Sequence, residues 1–173
     1  MTEPLGAASN DNDITWMDWA NLDEDLVRFT SQVSQLRHDH PVFRRRRFFN
    51  GRPVRRGAGE PLPDIAWFTP DAREMAEEDW EAGFGKSVAV FLNGEGIPST
   101  DARGERIVDA SFLLMFNAHD GSIDFTLPAG EYGAKWEVVL DTAAPDLVER
   151  AVREAGAALT VDARSLAILE RVD

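Results

Sequence analysis

Cysteine is absent from this 173-residue chain. That excludes disulfides, thiolate chemistry and cysteine-ligated zinc, and it fits a reducing compartment. Lysine is nearly absent, at 2 residues against 16 arginines, a bias we read as base composition of the genome rather than function. Positive charge as a whole is short: 18 Lys and Arg face 31 Asp and Glu, for a formal net charge of −13. Such a chain repels phosphates, so no nucleic-acid partner is expected, and neutral or cationic partners are favoured. No apolar run approaches the ~20 residues of a spanning helix, so no membrane partner is expected either. The opening MTEPLGAAS has neither a basic n-region nor an apolar h-region, and the expectation is a cytoplasmic protein. Phosphate-cradling glycines and a strand–turn–helix nucleophile elbow are missing too.

What remains is the composition of a globular protein, 43% hydrophobic and 28% charged, long enough for one domain or one domain with a docking element. Residues 1–9 have no periodicity and are expected to be unstructured. Then Asn10-Asp11-Asn12-Asp13-Ile14-Thr15-Trp16-Met17-Asp18-Trp19 crowds acids, amides and two indoles into ten positions. Carboxylates and amides pair with sugar hydroxyls and indole faces cover pyranose C–H faces. A polar loop capped by core tryptophans fits the same composition.

Leu22, Leu26, Phe29, Val33 and Leu36 follow one helical face, with Asn21 or Asp23 as cap and Pro41 enforcing the stop. This predicts a helix over residues 22–38 with a broad apolar stripe. Arg44, Arg45, Arg46 and Arg47 then precede Phe48-Phe49. Basic runs with aromatics can mark nucleic-acid binding, but in so acidic a chain the arginines are expected to pair with carboxylates, inside the chain or at a subunit contact.

From residue 65 onward, short apolar or alternating segments recur between turn signals: 65–69, 87–92, 111–117, 123–127, 136–140, 158–161 and 165–169. That pattern predicts a mainly β protein, an antiparallel β-sandwich. Residues 145–155 read as a short helix or a long loop, and the last two segments as a closing hairpin.

No complete active site is visible. Asp11, Asp13 and Asp18 share one short loop, whereas glycosidic hydrolysis needs two carboxylates across one site. His38, Asp39 and His40 point apart and lack a third ligand with suitable spacing. No catalytic residue, metal or cofactor is expected. Trp67, Trp80 and Trp136 are the aromatics that a sugar-binding face would use.

The segment of residues 10–19 resembles the Q-D-N-E-I-S-W-x-D-W segment of bacterial glycogen debranching enzymes of the isoamylase type, in the α-amylase superfamily. The likeness continues through His40-Pro41-Val42-Phe43-Arg44-Arg45, Asp64-Ile65-Ala66-Trp67-Phe68, Asp71-Ala72-Arg73-Glu74-Met75, Ser111-Phe112-Leu113-Leu114-Met115-Phe116-Asn117-Ala118 and Ala163-Arg164-Ser165-Leu166. The resemblance implies the last helix of a (β/α)8 barrel followed by a C-terminal β-sandwich. It divides the chain into a non-homologous start (1–9), a barrel remnant of loop, helix and Arg-rich connector (10–56), and the sandwich (57–173). In such enzymes α-1,6 branches of glycogen are hydrolysed with retention by an Asp nucleophile, a Glu acid/base and a supporting Asp, all on barrel strands upstream. No residue of this chain inherits those roles.

The resemblance places residues 10–19 near the catalytic face, which makes Asp11, Asn12 and Trp16 candidates for touching substrate. The expected function is the C-terminal fragment of a debranching enzyme, inactive alone. Its partners would be branched α-glucan through the complete enzyme, a separately encoded barrel fragment, or a second copy of the chain. The alternative is a stand-alone carbohydrate-binding or subunit-interaction module.

Overall fold

Alternation decides which layer each strand faces. In the computed structural model, which describes residues 16, 18–54, 61–82, 85–146 and 151–173, ten strands form. They are β1 (Pro53–Val54), β2 (Leu62–Pro63), β3 (Ile65–Phe68), β4 (Ser87–Leu92), β5 (Phe112–Asn117), β6 (Ile123–Thr126), β7 (Lys135–Asp141), β8 (Val152–Glu154), β9 (Ala158–Val161) and β10 (Ser165–Arg171). Six of them make one antiparallel sheet in the order β3-β4-β5-β10-β7-β8, while β6 pairs with β9 and β1 with β2 as separate ribbons.

One set of alternating side chains builds the main core. Phe68, Phe91, Leu113, Met115, Trp136 and Leu169 point from the large sheet towards Phe125, Leu127 and Val161 around the β6–β9 ribbon. This is the β-sandwich, and each fully buried large side chain contributes about 1.5–3 kcal/mol. The other set, Val90, Leu92, Phe112 and Ile168, faces the opposite side of the sheet. A register shift in the β10–β7 pairing between Ile168 and Leu169 changes the phase of β7, so Val138 serves the first core and Leu140 the second.

The second face is covered by the long helix α1 (Glu24–Asp39) and the 3-10 turn Pro41–Arg44. Asp23 caps the helix by accepting from the Leu26 N–H at 3.0 Å, and Glu24 and Asp25 lie in its first turn. It ends at His40, before Pro41. Val42 is the plug that the turn inserts into the second core, with Phe43 and the helix residues Phe29 and Leu36 at its margin.

Two expectations change. Residues 145–155 are neither helix nor plain loop among the described positions, because Val152–Glu154 forms β8 at the sheet edge against β7. Its side chains are all exposed, so backbone pairing alone makes it a strand. The segments 158–161 and 165–169 are not a hairpin: β9 belongs to the small ribbon and β10 to the large sheet. The link between them carries Arg164 at φ +52° and is a corner between layers. The acidic stretch around Trp80 forms the five-residue helix α2 (Glu77–Glu81).

Asn117 locks the corner where these layers meet. Its buried amide donates to the carbonyls of Gly121, Val161 and Asp162 at 2.9–3.1 Å, and its oxygen accepts from His119 N–H and Ser87 Oγ. Strands of both sheets are thereby tied to one side chain.

Candidate functional site

The ten-residue acid-and-indole segment is the first place to look. Asp11 and Asn12 lie outside the described residues. Trp16 is exposed, as is Trp19 in the 3-10 turn Trp19–Asn21. Asp18 holds that turn by accepting from Asn21 Nδ2 at 2.7 Å and Ala20 N–H at 3.1 Å. The hydrogen bond from Asn21, then that from Ala20, keeps the Asp18 carboxyl below its ordinary range. Asp18 is thus a capping group.

The helix gives a clearer picture. Its predicted stripe is real, but the sheet uses only one edge of it. Phe29 and Leu36 reach the second core, while Leu22, Leu26 and Val33 stay exposed, Leu26 at 59%. Trp19, in the 3-10 turn before α1, is exposed as well. Leu26 and Val33, seven residues apart on α1, share one face, while Leu22 is extended and precedes the helix. On the helix's other flank, a groove of about 780 Å³ runs between α1 and strands β7 and β10, lined by Glu24, Gln32, Gln35, Asp39, Asp141 and Glu170 among others.

The arginine run divides its labour. Arg45 is buried and bonds Asp64 through Nη2 at 3.0 Å, with its guanidinium carbon 3.9 Å from the Phe49 ring centroid. Asp64 also accepts the N–H groups of Asn50 and Gly51. Arg44 Nε donates to the His38 carbonyl at 3.0 Å. The expected pairing with the acidic surplus therefore occurs inside the chain for Arg45. Phe48, in contrast, is 98% exposed.

The histidines are structural or superficial. His40 Nδ1 and the Val42 N–H both engage the Asp109 carboxylate at 2.9 Å, a clamp between the helix end and the loop before β5 that no sequence spacing announces. His119 lies 3.1 Å from Asp120 at the surface. Among the described residues no group of three or more His, Cys, Asp or Glu could hold a metal ion.

Of the three tryptophans that a sugar face would use, the fold separates one from the other two. Trp136 is fully buried, its indole close-packed under Gly133, where a Cβ would come within 2.8 Å of the ring. Trp67 on β3 and Trp80 on α2 meet edge to face, ring centroids 5.2 Å apart at 78°, and remain 38% and 56% exposed. The strap between them is tightly held. Arg73 grips Asp79 with two hydrogen bonds of 2.7 and 2.8 Å, Asp79 accepts the Ala76 N–H at 2.8 Å, and the Met75 N–H donates to the Trp67 carbonyl at 2.9 Å.

Comparison with known proteins adds the context. The sequence model of the family described as "Isoamylase, C-terminal" matches residues 64–170. A protein named glycogen operon protein GlgX homolog, from Mycobacterium bovis, is 48% identical over 167 residues, which are 93% of this chain and 22% of that protein. A glycogen debranching enzyme of Serratia proteamaculans is 26% identical over 133 residues, 77% of this chain and 16% of its own. One from Yersinia pseudotuberculosis is 23% identical over 155 residues, 90% and 19%. The chain spans about a fifth of the length of these curated relatives.

Proposed function

The chain belongs to the isoamylase C-terminal family, and from that premise we propose that it works as the C-terminal part of a glycogen-debranching hydrolase, buttressing a catalytic barrel instead of carrying the reacting carboxylates. The observation that carries this reading is the half-used helix. Leu26 and Val33 leave one edge of α1 apolar and in water, while neighbouring Phe29 and Leu36 are absorbed by the sheet. A second body leaning on that strip would complete the burial of α1, and relatives bearing debranching names have four-fifths of their length outside the matched region. In that arrangement α1 is the helix shared between barrel and sandwich, and branched α-glucan binds the assembled enzyme in the cytoplasm.

Asp11, Asn12 and Trp16 are proposed to reach the substrate cleft from the segment preceding α1. The mix of acid, amide and indole in that segment suits sugar hydroxyls and ring faces. The helix then has two roles: its apolar strip docks the barrel, and its N-terminal end sets where that segment emerges.

Complementation tests the proposal. The catalytic portion of the Mycobacterium relative, made without its own C-terminal fifth, is combined with this chain and supplied with branched limit dextrin. Release of linear maltodextrins from the mixture, with none from this chain alone, is the expected result. A Leu26→Glu substitution should abolish the gain. Release of linear chains by the purified chain alone would overturn the reading.

A further inference from the structure

We propose that Trp67 and Trp80 form an auxiliary binding site for α-glucan on the sheet edge, separate from the segment that precedes α1. The inference rests on the reading that this chain serves an enzyme of α-glucan, and it names the surface that would hold the polymer.

Exposed aromatics are common singly, but a rigid pair is less so. Here a strap of about a dozen residues (69–80) is fastened at four points to hold one indole against another in solvent. The Met75 N–H bonds the Trp67 carbonyl, the Thr69 N–H bonds the Arg73 carbonyl, Arg73 grips Asp79, and Asp79 caps α2. The edge-to-face contact itself stabilises by roughly 0.5–1.5 kcal/mol. Immobilised rings lose little entropy when a ligand arrives, and that favours weak, open-surface recognition.

Charge and size narrow the occupant. Glu77, Glu78 and Glu81 are exposed on the same short helix, and Glu77, three residues before Trp80, shares its face. These carboxylates repel nucleotides, phosphates and acidic peptides but accept hydrogen bonds from sugar hydroxyls. The two rings together offer on the order of 200 Å², far below the ~800 Å² per partner of a stable protein interface. That area suits one or two glucose rings. Two indole planes at 78° also make a corner, not a flat platform. A corner fits a chain that curves from residue to residue, as α-1,4-linked glucose does, better than the straight ribbon of a β-1,4-linked one.

The test uses the full chain, with maltoheptaose as probe and cellohexaose as the straight-chain control. Binding is followed by tryptophan emission and by retardation in glycogen-containing gels. Saturable binding of maltoheptaose is expected for the wild type and for Phe48→Ala, an exposed aromatic outside the pair. Trp80→Ala should weaken it at least tenfold, and Trp67→Ala likewise, with both variants retaining the wild-type unfolding transition. The inference fails if the wild type shows no saturation, if Trp80→Ala binds within twofold of wild type, or if cellohexaose binds as well as maltoheptaose. Since the titration needs no barrel, it and the complementation assay can fail independently. Complementation with unchanged glucan binding in Trp80→Ala would sink this site and leave the proposed function standing.

Discussion

Arg45 and Asp64 face each other inside the protein, Nη2 to Oδ2 at 3.0 Å, with only 3% of either side chain exposed. The pair joins the arginine run to the start of β3, and Asp64 gathers the turn at Asn50 and Gly51 as well. It is imperfect, because Nε and Nη1 of Arg45 find no hydrogen-bond partner among the described residues. A buried ion pair of this kind contributes little net stability compared with well-packed apolar residues, but removing one member strands the other charge. Arg45→Met is therefore expected to cost about 3–5 kcal/mol, and the double variant Arg45→Met/Asp64→Asn less than the sum of the two single changes. Urea denaturation of the four proteins measures both quantities. Additive losses would show that the two side chains are not coupled.

Asn117 should be as sensitive, for a different reason. Three carbonyls on two separate segments depend on its one amide nitrogen. Asn117→Asp keeps the shape and replaces the two N–H donors these carbonyls share with an acceptor, setting an oxygen against all three. At about 1–3 kcal/mol for each buried group left unsatisfied, a loss above roughly 3 kcal/mol is expected, with Asn117→Ala somewhat milder. Thermal unfolding compared with wild type reads the difference. A fall in Tm of only a degree or two would mean that the corner between the sheets is held by something else.

Much of this fold could be read from the sequence. Asp23, the Leu22-to-Leu36 periodicity and Pro41 specify α1 locally, because caps, faces and stops are properties of neighbours. The strands β4, β5 and β10 are apolar on both faces and betray a sheet covered twice. What could not be read is set by distance along the chain. The His40–Asp109 clamp spans 69 residues, and no local pattern marks it. The short link between β9 and β10 has the composition of a hairpin turn, yet its strands enter different layers, since a tight corner and a hairpin use the same residues. Of the candidate substrate residues, the sequence offered composition and a family resemblance, and only Trp16 lies among the described residues. Trp67, Trp80 and Trp136 looked alike in sequence; burial separated them.

The strap that carries Trp80 has a pH signature. The hydrogen bonds from Arg73, and then the one from the Ala76 N–H, hold the Asp79 carboxyl down at about 2, against 3.8 for a free Asp. Because the folded value is depressed, the stabilisation is complete above about pH 4 and is lost as pH falls towards 2. Trp80 emission, isolated as the difference between wild type and Trp80→Phe, is expected to stay constant down to about pH 4 and to change between there and pH 2. Asp79→Asn should remove that transition and shift the neutral-pH emission towards the low-pH value. An unchanged acid profile in Asp79→Asn would show that the strap does not depend on this carboxylate.

Helix α1 offers the sharpest contrast between stability and docking. Phe29 and Leu36 touch the second core, so truncating either to Ala should cost about 1–2 kcal/mol, less than the 2–5 of a fully buried large residue. Leu26 and Val33 are on the uncovered strip, where surface substitutions usually change stability by no more than about 0.5 kcal/mol. Leu26→Glu should thus leave the unfolding midpoint of the isolated chain almost unmoved. It should also reduce concentration-dependent self-association, because an apolar strip of this kind draws a second copy when its proper partner is lacking. Equilibrium sedimentation and urea titration of Phe29→Ala, Leu36→Ala and Leu26→Glu separate the two roles. A large stability loss in Leu26→Glu would mean that the strip is already buried in solution, and the half-used helix would no longer argue for a second body.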